Sequence, residues 1–226
     1  MISMTRRYGL WTLVIGGVSL ILLLTGVSFG LQSSFKPKSY PAGPTAAKTQ
    51  SKLWFNDGTW WWILFDGSTE EYRIYRYDRT RDAWSDTGTV VDRRNTSRAD
   101  VLWDEPHLYM VSAGTEASLE EHSARFLRYT YDPSTERYSL DKGYPVTIAR
   151  GGMEAISVAR DSTGKPWATY TQGDELLKVY VTHTLGDDSN WVEPFILPLR
   201  GTTVSSDDVS GIVAFGSQIG LMWGNQ

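Results

Sequence analysis

Three hairpin-like segments recur along the chain at a nearly constant interval, and this constrains the fold more than any other feature. They are YRIYRYDRTRDAW (Tyr72 to Trp84), FLRYTYDPSTERY (Phe126 to Tyr138) and VYVTHTLGDDSNW (Val179 to Trp191). Aligned on the residue seven before the closing aromatic, Tyr77, Tyr131 and Thr184 stand 54 and then 53 residues apart. A further apolar pair of runs precedes each hairpin: Leu53 to Phe65, Val101 to Ala113 and Ile156 to Thr171. A fourth copy opens at Gly211 and runs to Gln226. From Lys52 onward, short Val-, Ile-, Tyr- and Trp-rich runs alternate with turn clusters such as NDG, DSTG and DPST, the pattern of an all-β chain. Each unit reads strand, turn, strand, loop, strand, turn, strand. Four antiparallel strands in about 50 residues predict a blade of a β-propeller. A β-sandwich is the competing all-β fold, but nothing in a sandwich requires a sequence repeat at constant offset. The second unit carries an insertion, Gly114 to Ala124, between its second and third strands.

The expected blades are residues 52–97, 98–150, 151–204 and 205–226, three complete and the first hairpin of a fourth. Propellers close with about four to eight blades. An open ring would leave an apolar strand edge unpaired. The expectation is therefore that this sequence is the front part of a longer protein.

The N-terminal region has a different character. Residues 9–31 form an uncharged apolar run long enough to cross a bilayer as a helix. Arg6 and Arg7 lie just before it in residues 1–8, which the positive-inside rule keeps cytoplasmic. An uncleaved signal-anchor fits the length of the run; a signal peptide cleaved near Ser28 or Gly30 is the other reading. Either places the rest outside the cytoplasmic membrane. Residues 32–51, rich in proline, lysine and small side chains, read as a solvated linker to the propeller at 52–226.

Charge and composition exclude several functions. Beyond residue 50 the chain carries 17 cations against 26 acids, a net −9, which repels nucleic-acid backbones. With no cysteine there is neither a disulfide nor a thiolate metal site, and His107, His122 and His183 follow no metal-ligand spacing. No cofactor or metal is expected. The aromatic load, ten tryptophans and twelve tyrosines, suits β-structure with flat faces for packing or sugar contact. In WWWI, strand alternation sends Trp61 to the face opposite Trp60 and Trp62, with packing between sheets the expected role.

The hairpin turns resemble the Asp-box, S-x-D-x-G-x-T-W, of bacterial sialidases and their relatives. YDRTRDAW, YDPSTERY and TLGDDSNW keep its seven-residue interval and its place between third and fourth strands, with altered interiors. SKLWFNDGTWWW, DSTGKPWATYT and DDVSGIVAF look like segments of secreted or membrane-anchored sialidase-like propeller proteins of unassigned activity. The resemblance covers about Ser51 to Gln226. It implies that the turn acids accept backbone N–H bonds and that Trp84, Tyr138 and Trp191 pack in the core. It also implies three converging arginines and an activated tyrosine in a true sialidase. Here YRIYR puts Tyr75 where the family's first-arginine motif has proline and places Arg73 on an outer strand, and nothing ties Arg150, Arg160 and Arg200 together.

Aligning the units puts Lys52, Asp100, Glu154 and Asp207 or Asp208 just before each innermost strand, ringing one mouth of the axial channel. This ring is the expected ligand site. Asp100 and Glu154 are the candidates for acid/base roles if the protein is catalytic, since paired carboxylates can hydrolyse a glycosidic bond. The leading expectation is a membrane-tethered, extracytoplasmic propeller that binds a carbohydrate or other cell-surface ligand without hydrolysing it. A sialidase-like glycoside hydrolase completed by residues beyond Gln226, and a structural interaction scaffold, are the alternatives.

Overall fold

The computed structural model describes residues 50–114, 123–153 and 155–224. Expectations for the N-terminal anchor, most of the linker, most of the 114–124 insertion and Glu154 lie outside the described residues. Among those residues no helix is long and apolar enough to cross a membrane.

The described chain is all-β and antiparallel. The first sheet is a meander of β1 (Leu53–Asn56), β2 (Thr59–Asp66), β3 (Glu71–Asp78) and β4 (Ala83–Asp92), in that order. The second repeats it with β5 (Ser97–Asp104), β6 (His107–Gly114), β7 (Ala124–Asp132) and β8 (Arg137–Leu140). The third uses β10 (Ile156–Arg160), β11 (Pro166–Gln172), β12 (Leu177–Leu185) and β13 (Asp187–Trp191), and the fourth is the hairpin β16 (Ser210–Phe215) and β17 (Gln218–Trp223). The three seven-residue pairs of the sequence repeat are direct cross-strand partners: Tyr77 with Trp84, Tyr131 with Tyr138, Thr184 with Trp191.

The later sheets depart from four strands. β9 (Val146–Ala149) also pairs with β7, and β14 (Phe195–Ile196) and β15 (Thr203–Val204) also pair with β12. The fourth strand of these units is thus broken into pieces laid along one partner. Pro145, Pro194 and Pro198 account for the breaks, since proline cannot donate to a ladder.

Burial follows from strand alternation. Trp61, Ile63 and Phe65 of β2 face the second sheet and are buried, while Trp60 on the opposite face is exposed. β6 is buried from Leu108 to Gly114 because both its faces are covered: Leu108 and Met110 pack towards the first sheet, Tyr109, Val111 and Ala113 towards the third. Tyr138 sits at the centre of the first interface, with the rings of Trp61 and Trp54 edge-on to it at 5.0 and 5.6 Å. Its hydroxyl accepts hydrogen bonds from Trp54 Nε1 (2.9 Å) and Asn56 Nδ2 (2.8 Å). Tyr138→Phe leaves both donors facing a ring edge, and a loss of about 1–3 kcal/mol is expected in urea unfolding. A change within error would show that the aromatic packing alone holds the interface. Of the other two repeat aromatics, Trp191 is partly buried and packs on the core at Phe126, while Trp84 departs from the core expectation and lies on the outward face of the first sheet beside Trp62 and Tyr77.

The turn acids act as the resemblance implies. Asp78, Asp132 and Asp187 each accept the N–H and the hydroxyl of the Ser or Thr two residues on. These hydroxyl and N–H bonds hold all three carboxyls below the usual range. Each is an Asx-turn at a hairpin tip; the first two tips hold no glycine, while the third has Gly186 at φ 86° just before its Asp187.

Candidate functional site

The first strands of consecutive sheets lie side by side: β1 against β5, β5 against β10, β10 against β16. Where β5, β10 and the last hairpin converge there is an open cavity of about 780 Å³. Ser51, Asp100, Ser157 and Ser210 bring polar groups to it, and Ile212 and Trp223 are among its apolar walls. Among the described residues, Asp100 is the only ionisable side chain that lines it.

Asp100 lies within β5 rather than before it, which corrects the expectation from the aligned units. The reason is that β5 begins four residues earlier in its unit than β1 does, so the same repeat position falls mid-strand. Its carboxylate braces three sheets: Oδ1 accepts the N–H of Ser51 (2.5 Å), ahead of β1, and Oδ2 accepts the N–H of Val158 (2.9 Å) in β10. Burial pushes its carboxyl up to about 6, against those N–H bonds and the nearby charge of Lys52. Lys52 is itself buried ahead of β1, and its Nζ donates to Gln50 Oε1 (3.3 Å). Desolvation lowers the Lys52 ammonium to about 8, with Asp100 pulling the other way.

Asp208 stands apart from this pair. It lies two residues before β16, buried, with Oδ2 accepting the N–H of Ser205 (2.7 Å) and its carbonyl accepting from Thr171 Oγ1 (3.1 Å). That arrangement shapes the loop entering β16. The structure therefore brings Lys52 and Asp100 together, while Asp208 serves its own loop.

The arginines do not converge. Arg73 pairs with Glu71 and Asp86 in its own sheet, Arg160 pairs with Asp104, and Arg150 and Arg200 are exposed. A second cavity of about 670 Å³ lies beside the Arg160–Asp104 pair and the β10–β11 turn. Sequence alignment of the hairpins missed that turn. Asp161 accepts the Thr163 N–H and hydroxyl, the Lys165 N–H and the Trp167 indole N–H. Burial raises its carboxyl, but these bonds outweigh the burial and hold it at about 2. The signal was present in DSTGKPW, as an acid two before a threonine and six before a tryptophan, on a first-to-second-strand turn.

No family model and no curated protein matches the chain. Among solved structures it is similar to a polysaccharide lyase of family PL25, an ulvan lyase, with a TM-score of 0.44 and 10% identity. The alignment covers 72% of this chain and 40% of that one, so the chain spans well under two thirds of the lyase.

Proposed function

We propose that the chain is a carbohydrate-binding module whose sheets are blades of a β-propeller, held outside the cytoplasmic membrane by residues 9–31. The blade reading is supported by the meander repeated at constant interval and by first strands lined up side by side. The observation that carries the binding reading is the cavity at those first strands. It sets serine hydroxyls beside Trp223 and aliphatic walls, the mixture that suits a neutral ligand with hydroxyls on its edges and C–H groups on its faces. The reading without hydrolysis is supported by Asp100, whose two oxygens are both engaged by backbone N–H groups, a bracing role rather than acid/base work.

Gly211 gives a clean test, because a Cβ there meets nothing within 4 Å and so fills cavity space without a clash. Titration calorimetry of the full-length protein against a panel of neutral polysaccharides is expected to find a ligand. Gly211→Val should weaken that ligand at least about tenfold, a loss of about 1.4 kcal/mol, while leaving the melting temperature in place. Failure of every neutral glycan, or unchanged affinity in the variant, would sink the assignment. Accumulation of reducing ends or unsaturated products would move the protein to the enzymes. Resistance of the full-length protein to alkaline extraction from membranes tests the anchor.

A further inference from the structure

A third cavity, of about 420 Å³, is walled by the second and third sheets together. It lies where the fourth strands of these two units are broken. β9 contributes Ile148, and the Glu193–Pro194 step ahead of β14 contributes another part of the wall. Tyr170 of β11 and Tyr180 of β12 also line it, cross-strand partners whose rings stack at 5.4 Å and 11°. Gln172, which ends β11, holds the loop that leaves β9. Its Nε2 donates to the carbonyls of Arg150 (2.6 Å) and Gly152 (3.4 Å). Between them stands Gly151 at φ +88°, where a Cβ would lie 2.5 Å from that nitrogen. Only glycine lets the amide in, and the amide fixes the loop with Arg150 at the cavity.

The polar groups of this cavity are not used up within the molecule. Tyr170 is only 1% exposed, and among the described residues its hydroxyl has no hydrogen-bond partner. A hydroxyl so buried costs stability unless something in the cavity bonds to it. Burial, the neighbouring Tyr180 and the charge of Glu193 all raise its pKa, so it keeps its proton and can both donate and accept. The last of these causes also places the Glu193 carboxylate near the hydroxyl. Besides the tyrosines, the ionisable residues of the lining are Arg150 and Glu193, one of each sign and both exposed. Among the described residues neither side chain has an ion pair, with the other or with a third group.

We propose that this cavity binds a small zwitterion, an amino acid or short peptide, with its ammonium on Glu193 and the Tyr170 hydroxyl and its carboxylate on Arg150. The charge pattern selects that class. A ligand with only an amine meets the Arg150 guanidinium as a like charge, and one with only a carboxylate meets Glu193. A neutral sugar uses neither. The carbon skeleton of the zwitterion packs on Ile148, Pro194 and the Tyr180 ring. The site shares no lining residue with the cavity at the first strands and stands whether or not that cavity takes a glycan.

The test is titration calorimetry of the full-length protein in detergent against leucine, phenylalanine and trileucine, each beside its N-acetyl and its C-terminal amide form. At least one uncapped compound is expected to bind, the free amino acids and the tripeptide telling the two sources apart. Capping either end should weaken it at least about tenfold, the loss expected of a hydrogen bond to a charged group. Glu193→Gln and Arg150→Gln should each weaken the uncapped ligand to the same extent. Glu193→Gln should also stop discriminating against the N-acetyl form, and Arg150→Gln against the amide. Both positions are exposed, so melting temperatures should hold. Gly211→Val, which fills the cavity at the first strands, should leave zwitterion binding unchanged. Four outcomes overturn the proposal: no uncapped compound binds, capped forms bind equally well, neither charge variant alters affinity, or Gly211→Val abolishes binding. The last would place the ligand in the other cavity.

Discussion

Asp92→Ala is expected to lower the folding free energy by about 3–5 kcal/mol, the loss typical when one partner of a buried ion pair is removed. Asp92 closes β4, and its carboxylate takes Arg94 Nε at 2.9 Å on Oδ1 and Arg94 Nη2 at 2.6 Å on Oδ2. The same guanidinium donates to the carbonyls of Ser123 (2.7 Å) and Ser112 (3.3 Å), and Ser112 Oγ donates to Asp92 (2.6 Å). These contacts tie the end of the first sheet to the second. The side chains are only 2% exposed for Asp92 and 10% for Arg94, so removing the carboxylate takes a closely paired anion away from a buried guanidinium. An exposed pair would cost under about 1 kcal/mol, and a loss that small in urea unfolding would refute this account. The pH dependence has a definite sign. Burial raises the Asp92 carboxyl, yet pairing with Arg94 and the bond from Ser112 outweigh it and leave it below 3.8. The pair therefore contributes fully above pH 3.8 and is lost as pH falls through the lower folded value. Asp92→Ala should lack this part of the acid sensitivity.

The contrast between that network and the hairpins explains how much was legible in the sequence. Strand alternation is local, so YRIYRYDRTRDAW gave its own register, and WWWI put Trp61 on the face opposite Trp60 without saying which of the two faces a neighbouring sheet would cover. The Asx-turn acids are local too. Asp92 and Arg94 are also close in sequence, but what makes them a buried pair is the backbone of Ser112 and Ser123, and DRR reads like any solvated turn. Asp100 is the same case over longer range, since its partners Ser51 and Val158 are 49 and 58 residues away. Alignment of the units marked Asp100 as recurring with Lys52 but could not tell a ligand-facing acid from an inter-sheet brace. Trp84 was misjudged because the repeat assigns it a packing face without saying that, in the first sheet, no described sheet covers that face.

Asp100 gives the second large effect, and it appears in a slope rather than at one pH. Its carboxyl is near 6 when folded and 3.8 when not, so between those values the folded protein keeps a proton that the unfolded chain has released. Stability is then highest below pH 3.8 and falls as pH rises through 6, by about 3 kcal/mol from this group, at 1.36 kcal/mol per unit. Lys52 acts at the other end. Lowered to about 8 from 10.5, it burdens the fold while charged and is relieved as pH rises from 8 to 10.5. The pair therefore predicts a trough of stability across neutral pH, where both groups are ionised beside the cavity. Asp100→Asn separates the charge from the brace. Its amide oxygen can accept one of the two N–H groups, but its NH₂ confronts the other, a penalty of about 1–3 kcal/mol at low pH. Because Asn does not titrate, the wild-type and variant curves should converge as pH rises from about 4 to about 7. Urea midpoints measured across that range decide the matter. Parallel curves would mean that Asp100 is ionised throughout and that the N–H bonds from Ser51 and Val158 outweigh its burial.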